Sequence, residues 1–326
     1  MGIDFHKSKD TRNYRVRYQP YCRQFQQPLQ THHGLWSHRE GILIQLSALD
    51  SGDRLREGWG EIAPLPWFGS ESVTEALNFC RSFPDTIRAV DLVKVPDRLP
   101  ACQFGFESAF IDLHPSGTKS NRFKYCGLLP TGKAALNPEL SVWRSGYSTL
   151  KWKIGVAEMS EELDLFHQLI SNLPIGMQLR LDANGGLSTT QAREWLGACE
   201  HAPIEFLEQP LAVSEFAAMQ RLAAEYSTPI ALDESVATFP QLVQCYEKGW
   251  QGIMVVKPAI CGFPSKLHQF CHEHPIDLVL SSVLETAIAR RTILRLAATL
   301  PNLHRPLGLG TGHWFADSAP VDTART

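Results

Sequence analysis

The chain has eight cysteines in 326 residues but no Cys-x-x-Cys pair. That excludes zinc ribbons and dithiol redox motifs, and the scatter of Cys22, Cys80, Cys102, Cys126, Cys199, Cys245, Cys261 and Cys271 gives no disulfide framework. Reduced thiols of a cytoplasmic protein are the expectation. No His-Glu-x-x-His motif occurs among the twelve histidines, so a histidine metal centre has little support. No run of 18 uncharged apolar residues is present, and no membrane span is expected. The formal net charge is −3 and no basic stripe accompanies it, which argues against a nucleic-acid partner. The opening MGIDFHKSKD lacks the apolar core of a secretory signal. His6 stands where a myristoylation pattern needs Ser or Thr.

What is present is an ordinary globular composition, 44% hydrophobic and 20% charged, in a chain long enough for two domains. Residues 1–100 read as a small α+β domain. YRVRYQPY alternates and ends at a turn, GILIQLSAL and GWGEIAPL read as further strands, and SVTEALNFCRSF reads as a helix with a serine cap. Residues 101–326 change to strand-then-helix units. YCGLLPTG, STLKWKIG, MQLRLDAN, IEFLEQPL, PIALDES, GIMVVKPAI, DLVLSSVLE and HRPLGLGTG supply eight short strands, and amphipathic helices follow most of them. The expected fold is α/β, a (β/α)8-type barrel behind an amino-terminal capping domain, with the first barrel unit short and Pro-rich.

Charged residues collect at the carboxyl ends of these strands, where barrels place their sites. Lys151 and Lys153 fall on strand 2, Asp182 on strand 3, Glu208 on strand 4, Asp233 on strand 5 and Lys257 on strand 6. The steps from Asp182 to Glu208, to Asp233 and to Lys257 are 26, 25 and 24 residues, one barrel unit each. Each acid alone fits a helix cap or a salt bridge equally well. Their equal spacing instead sets three carboxylates at one level, where mutual repulsion calls for a cation. An all-oxygen donor set selects Mg2+, with Mn2+ as a substitute. Lys151 and Lys153, at i and i+2, point the same way, so one of the pair is expected to have a depressed pKa and serve as a base.

The order Lys-x-Lys, three acids, lysine resembles the enolase superfamily, the standard example of a lysine or histidine base beside Mg2+. KWK, LRLDANGG, FLEQPL, ALDES and VVKP match its motifs in order across nearly the whole chain. Lysines on both flanks are similar to the muconate-lactonizing subgroup, which holds muconate cycloisomerases, dipeptide epimerases, N-acylamino acid racemases and o-succinylbenzoate synthases. The last family fits best. REGILIQL and GWGEIAPLPWFGSES resemble its capping segments, and Arg180 stands two before the metal ligand. The strand-8 end reads Leu309-Gly310-Thr311-Gly312, without the Asp-x-Asp that holds an epimerase's ammonium substrate.

The resemblance implies Mg2+ held by Asp182, Glu208 and Asp233, with Lys153 and Lys257 as catalytic lysines, acting on a small carboxylate substrate. Lys151, Arg180, Asn184, Glu234 and Gly310 stand as supporting or substrate-binding residues, and Gln209 as a loop-structuring one. Ser281 and Ser282 end strand 7 and either line the pocket or, through Ser282-Val-Leu-Glu285, start a helix. Trp67 and Phe68 form either a lid over the barrel mouth or a packed hairpin. A racemase or cycloisomerase is the same-class alternative, and a barrel that binds carboxylate or metal without turnover is the alternative of another class. The sequence leaves the oligomeric state undetermined.

Overall fold

Two long strands, β1 (Tyr14–Thr31) and β2 (Gly34–Leu49), pair antiparallel with Tyr21 opposite Gly41. The computed structural model describes residues 10–31, 34–50, 52–114, 123–137, 141–311 and 314–315. The readings made on residues 1–9 and on Gly312 lie outside them. β3 (Leu55–Ile62) flanks β2, and β4 (Thr86–Ile87) touches only Tyr14 and Arg15 of β1, giving the order β3-β2-β1-β4. YRVRYQPY therefore does not end at a turn: Pro20 sits inside β1, opposite Ile42. Among the described residues β4 does not reach as far as Pro20 on the outer edge of β1, which is next met only by the Phe25–Phe315 bridge, and an edge strand tolerates a residue with no N–H. Helix α1 (Val73–Ser82) starts as its sequence signals, with Ser72 and Glu75 closing a capping box.

Helix α2 (Pro100–Leu113) lies between this sheet and the barrel, and every one of its residues is buried. A helix covered on all sides shows no polar stripe, so periodicity does not reveal it. Its approach to β3 is close enough to require glycine: a Cβ on Gly60 would lie 2.0 Å from the Gly105 carbonyl oxygen.

The barrel strands are β5 (Tyr125–Leu128), β6 (Thr149–Lys153), β7 (Gln178–Asp182), β8 (Ile204–Glu208), β9 (Ile230–Leu232), β10 (Ile253–Val256), β11 (Leu278–Leu280) and β12 (Leu307–Gly310). All run parallel in the order β11-β10-β9-β8-β7-β6-β5-β12, and a Ser281–Gly308 bridge closes the ring. Among the described residues, a 3-10 turn and the one-turn α3 (Ser141–Arg144) are the helical elements between β5 and β6. The later units carry α4 (Met159–Asn172), α5 (Thr189–Cys199), α6 (Phe216–Glu225), α7 (Phe239–Glu247), the short α8 (Pro258–Cys261), α9 (Pro264–Glu273) and α10 (Ala287–Ala297). Phe206, Ala231, Ile253, Val255 and Val279 form a buried cluster contributed by β8 to β11. At the seam, a Cβ on Gly310 would fall 2.3 Å from the Cys126 carbonyl oxygen, so this position of β12 requires glycine to pack against β5.

Buried acids join the amino-terminal sheet and α2 to the barrel helices. Glu61 of β3 accepts from the backbone N–H groups of Thr286 and Ala289 at the start of α10, and from Tyr21 Oη. Glu107 of α2 accepts from Ser265 N (3.0 Å) and Ser265 Oγ (3.2 Å) at the start of α9. Burial pushes the Glu107 carboxyl up to about 8 from 4.5, and the Ser265 bonds offset only part of that. The native state thus keeps a proton that the unfolded chain releases. This contribution to stability is full below pH 4.5 and is lost as pH rises through about 8. Glu107→Gln retains an acceptor and a donor but cannot ionise. Its melting temperature should rise relative to wild type as pH goes from about 6 to 9. Parallel pH profiles in thermal unfolding would show that Glu107 is not the linked group.

Candidate active site

Adjacent parallel strands hold equivalent positions side by side, so the charged strand ends meet. Lys151 and Lys153 stand opposite Arg180 and Asp182, and Asp182 stands opposite Glu208. Asp233 and Lys257 follow β9 and β10 directly. Asp182, Glu208 and Asp233 are each 1% exposed. Lysines lie between them. Lys151 Nζ reaches Asp182 Oδ2 at 2.9 Å and Glu208 Oε1 at 2.6 Å. Lys153 Nζ donates to Asn184 Oδ1 at 2.5 Å and Asp182 Oδ2 at 3.3 Å. Lys257 Nζ is gripped by both oxygens of Asp233 and lies 3.7 Å from the centre of the Phe68 ring.

Burial disfavours charge on Lys151, but Asp182, Glu208 and Asp233 outweigh it and hold the ammonium well above its ordinary range. The expected depression of one lysine therefore does not occur at Lys151. For Asp182 burial acts upward, yet Lys151 and Lys153 prevail and keep the carboxyl below its usual range. Glu208 is pushed up to about 8 by burial and by the charge of Asp182. Burial also raises Asp233 and Glu234. Glu234 Oε1 accepts from Asn184 Nδ2 at 3.0 Å, while its Oε2 is buried with no hydrogen-bond partner.

Four carboxylates thus face three ammonium groups, and one carboxylate oxygen stays unsatisfied. This hard, all-oxygen donor set fits a divalent cation such as Mg2+ or Mn2+. Among the described residues, only Cys22, His38 and Glu40 bring three or more Cys, His, Asp or Glu ligand atoms all within 4.8 Å of one another. The carboxylate row is therefore more open than a closed cage, with lysine ammonium groups between its members.

An open cavity of about 860 Å3 lies over the row. Lys151, Lys153, Asp182, Asn184, Asp233, Glu234, Lys257, Ser281 and Ser282 line it from the barrel. Leu29, Trp36, Leu65, Trp67 and Phe68 line it from the amino-terminal sheet and the loop after β3. Trp67 packs edge-on against Trp36 at 5.1 Å, in a 3-10 turn that Gly69 ends with a φ of 106°. Leu29 and Trp36 escape the sequence reading because it ends β1 early.

Two predicted residues lie elsewhere. Arg180 is not a lining residue: it is buried inside the barrel, bonded to Glu205 at 2.7 Å and 3.2 Å and to the Pro306 carbonyl. The pairing passes from Leu179–Ile204 to Arg180–Phe206, so Glu205 is an extra residue in β8, a bulge no sequence pattern announces. Gly310 packs the seam instead of lining the cavity. Ser282 Oγ bonds Leu284 N and Glu285 Oε2, whereas α10 starts later with Thr286 as its cap. The Ser282–Glu285 pair is therefore a loop turn at the cavity wall and not a helix start. Gln209 Oε1 accepts from Asp233 N and Ser235 N and so fixes the loop that carries Asp233.

If the three acids hold the cation, calorimetric titration with Mg2+ should show a site that Asp182→Asn, Glu208→Gln and Asp233→Asn each weaken about tenfold or more. Undiminished affinity in all three variants would place the cation elsewhere.

Residues 138–322 match the family model described as Enolase C-terminal domain-like, and residues 16–113 match that of the MenC N-terminal domain. The chain is 36% identical to the o-succinylbenzoate synthase of Thermosynechococcus vestitus, over 96% of both chains. It is 29% identical to the o-succinylbenzoate synthase of Aliivibrio fischeri, over 81% of this chain and 82% of that one. The o-succinylbenzoate synthase of Thermosynechococcus elongatus, solved with Mg in its active site, superposes with a TM-score of 0.83 at 36% identity, covering 94% of this chain and 95% of that one. A dipeptide epimerase from Enterococcus faecalis reaches 0.81 at 18% identity, covering 94% and 92%, and shares the fold. The chain belongs to the o-succinylbenzoate synthase family, within the enolase superfamily.

Proposed function

We infer that the chain catalyses the Mg2+-dependent syn dehydration of 2-succinyl-6-hydroxy-2,4-cyclohexadiene-1-carboxylate to 2-succinylbenzoate. The observation that carries this is the lysine on each side of one buried carboxylate row, beneath an apolar wall. The end of β12, Leu309-Gly310-Thr311, presents no acid for an ammonium substrate. The reading assigns the chain to menaquinone or phylloquinone biosynthesis, in the cytoplasm. It gives the capping role to residues 1–100 and the catalytic role to residues 101–326. A return of the carboxyl terminus to the cap is supported by the Phe25–Phe315 bridge, while residues 316–326 lie outside the described ones.

Asp182, Glu208 and Asp233 would hold the Mg2+. Bound there, it supplies positive charge against the second negative charge that develops on the substrate carboxylate. Lys153 Nζ, at the cavity edge, takes the proton from the carbon α to that carboxylate. It then returns the proton to the departing hydroxyl on the same face, so that one C–H and one C–O bond break and water leaves. Lys257 stays an ammonium: Asp233 and the Phe68 face hold it as fixed charge opposite Lys153. Asn184 orients Lys153 and ties it to Glu234.

A syn elimination needs a base on one face, and a racemisation needs one on each. Lys153→Ala should abolish both dehydration and solvent exchange of the α-proton. Lys257→Arg keeps its charge and should retain measurable dehydration while losing any racemisation of N-succinylamino acids. The two assays, run beside circular dichroism, decide. A folded Lys153→Ala that dehydrates at the wild-type rate would overturn the mechanism.

The apolar wall yields a separate expectation. Trp67→Ala and Phe68→Ala should raise KM or lower kcat about tenfold while Mg2+ affinity stays within about twofold. Unchanged kinetics would reduce the turn to packing.

A further inference from the structure

We propose that the β1–β2 hairpin carries a second metal site, of a different chemical class, in which Cys22, His38 and Glu40 bind Zn2+. Cys22 and Glu40 are cross-strand partners, and His38 lies two residues from Glu40 on the same face of β2. Their ligand atoms all lie within 4.8 Å of one another, and His38 Nε2 stands 3.9 Å from Glu40 Oε2. Tetrahedral zinc, with bonds of about 2.0 to 2.3 Å, needs ligand-to-ligand edges of roughly 3.3 to 3.8 Å, so modest side-chain rotation closes the set.

Three further features fit. Sulfur, imidazole and carboxylate together select a borderline ion over Mg2+, which keeps the site distinct from the all-oxygen row in the barrel. His38 Nδ1 lies 3.1 Å from Ser37 Oγ. With Nδ1–H donating there, Nε2 keeps its lone pair for a metal, and the ring is oriented as in known zinc sites. Cys22 is the exposed thiol, whereas the other seven cysteines are buried. Two protein strands and three side chains leave the fourth position to water. Trp36, two residues before His38, lines the cavity, so the metal would pin the hairpin next to the apolar wall.

The test uses the whole chain in saturating Mg2+ and follows modification of Cys22 by a thiol reagent under native conditions, with mass spectrometry to assign the site. Stoichiometric Zn2+ should slow the reaction about tenfold or more, since a metal-bound thiolate is a poorer nucleophile. His38→Ala and Glu40→Ala should each remove most of that protection while leaving the Zn2+-free rate unchanged. Co2+ in place of Zn2+ should give a sulfur-to-metal charge-transfer band that Cys22→Ser abolishes. Protection that survives both His38→Ala and Glu40→Ala would show zinc on Cys22 alone. No protection at all would show that His38 and Glu40 form only an ion pair. Either result overturns the proposal.

Discussion

Like charges cannot be packed side by side in a protein interior unless opposite charges separate them, and the barrel mouth is organised by that constraint. A closed ring of parallel strands puts neighbouring positions about 4.8 Å apart, so an acid at the same level of three successive strands makes a cluster automatically. Asp182, Glu208 and Asp233 are almost fully buried, and each has an ammonium within reach. Lys151 bridges the first two and Lys257 holds the third. A buried carboxylate stripped of its partner would leave an uncompensated charge, a loss of about 3 to 5 kcal/mol. The lysines are thus structural counter-charges, and the pattern Lys-x-Lys, acid, acid, acid, lysine is one electrostatic unit.

The amino-terminal sheet is bound to this unit by the same device, a buried acid placed where backbone N–H groups need a partner. Glu61 caps α10, Glu107 caps α9, and Glu71 accepts from Ala101 N and Cys102 N at the start of α2. Asp112 takes Arg291 and Arg295 of α10 together with Trp59 N of β3. These contacts fix the sheet against the barrel helices, and that in turn fixes where the turn Pro66–Phe68 falls. Phe68 reaches Lys257 because β3 is anchored by Glu61 only five residues before Pro66.

What the sequence reveals follows from what periodicity encodes. Spacing along the chain gives unit length, so all eight barrel strands and the level shared by Asp182, Glu208 and Asp233 are legible without coordinates. Features that depend on cross-strand register are not. Glu205 enters as an extra residue in β8, and so Arg180 looks like a cavity residue when it is an interior ion-pair partner. Cys22, His38 and Glu40 lie 16 to 18 residues apart in pairs across a hairpin, and nothing in the sequence shows that β1 continues through Pro20 to meet them. Helix α2 is hidden for another reason: burial on every side erases the amphipathic pattern. The Ser282–Glu285 pair has the spacing of a helix start, but Ser282 Oγ takes Leu284 N and Glu285 Oε2 takes Val283 N, which are the bonds of a turn.

The division of labour proposed for the two lysines of β6 is supported by their surroundings. The pair points one way along the strand, and proximity alone would make either a base. Their surroundings differ. Lys151 Nζ sits between Asp182 and Glu208, with Asp233 adding to the field, and is held cationic. Lys153 Nζ lies one step nearer the mouth, touching Asp182 at a longer 3.3 Å and otherwise bonded to the neutral amide of Asn184. Lys153 thus meets one carboxylate and a neutral amide, whereas Lys151 meets two carboxylates. The inner lysine lies between two carboxylates, and the surroundings of the outer one support the proton-transfer role proposed for it. The two-residue step along one strand therefore gives the two lysines different partners, which supports the separate roles proposed for them.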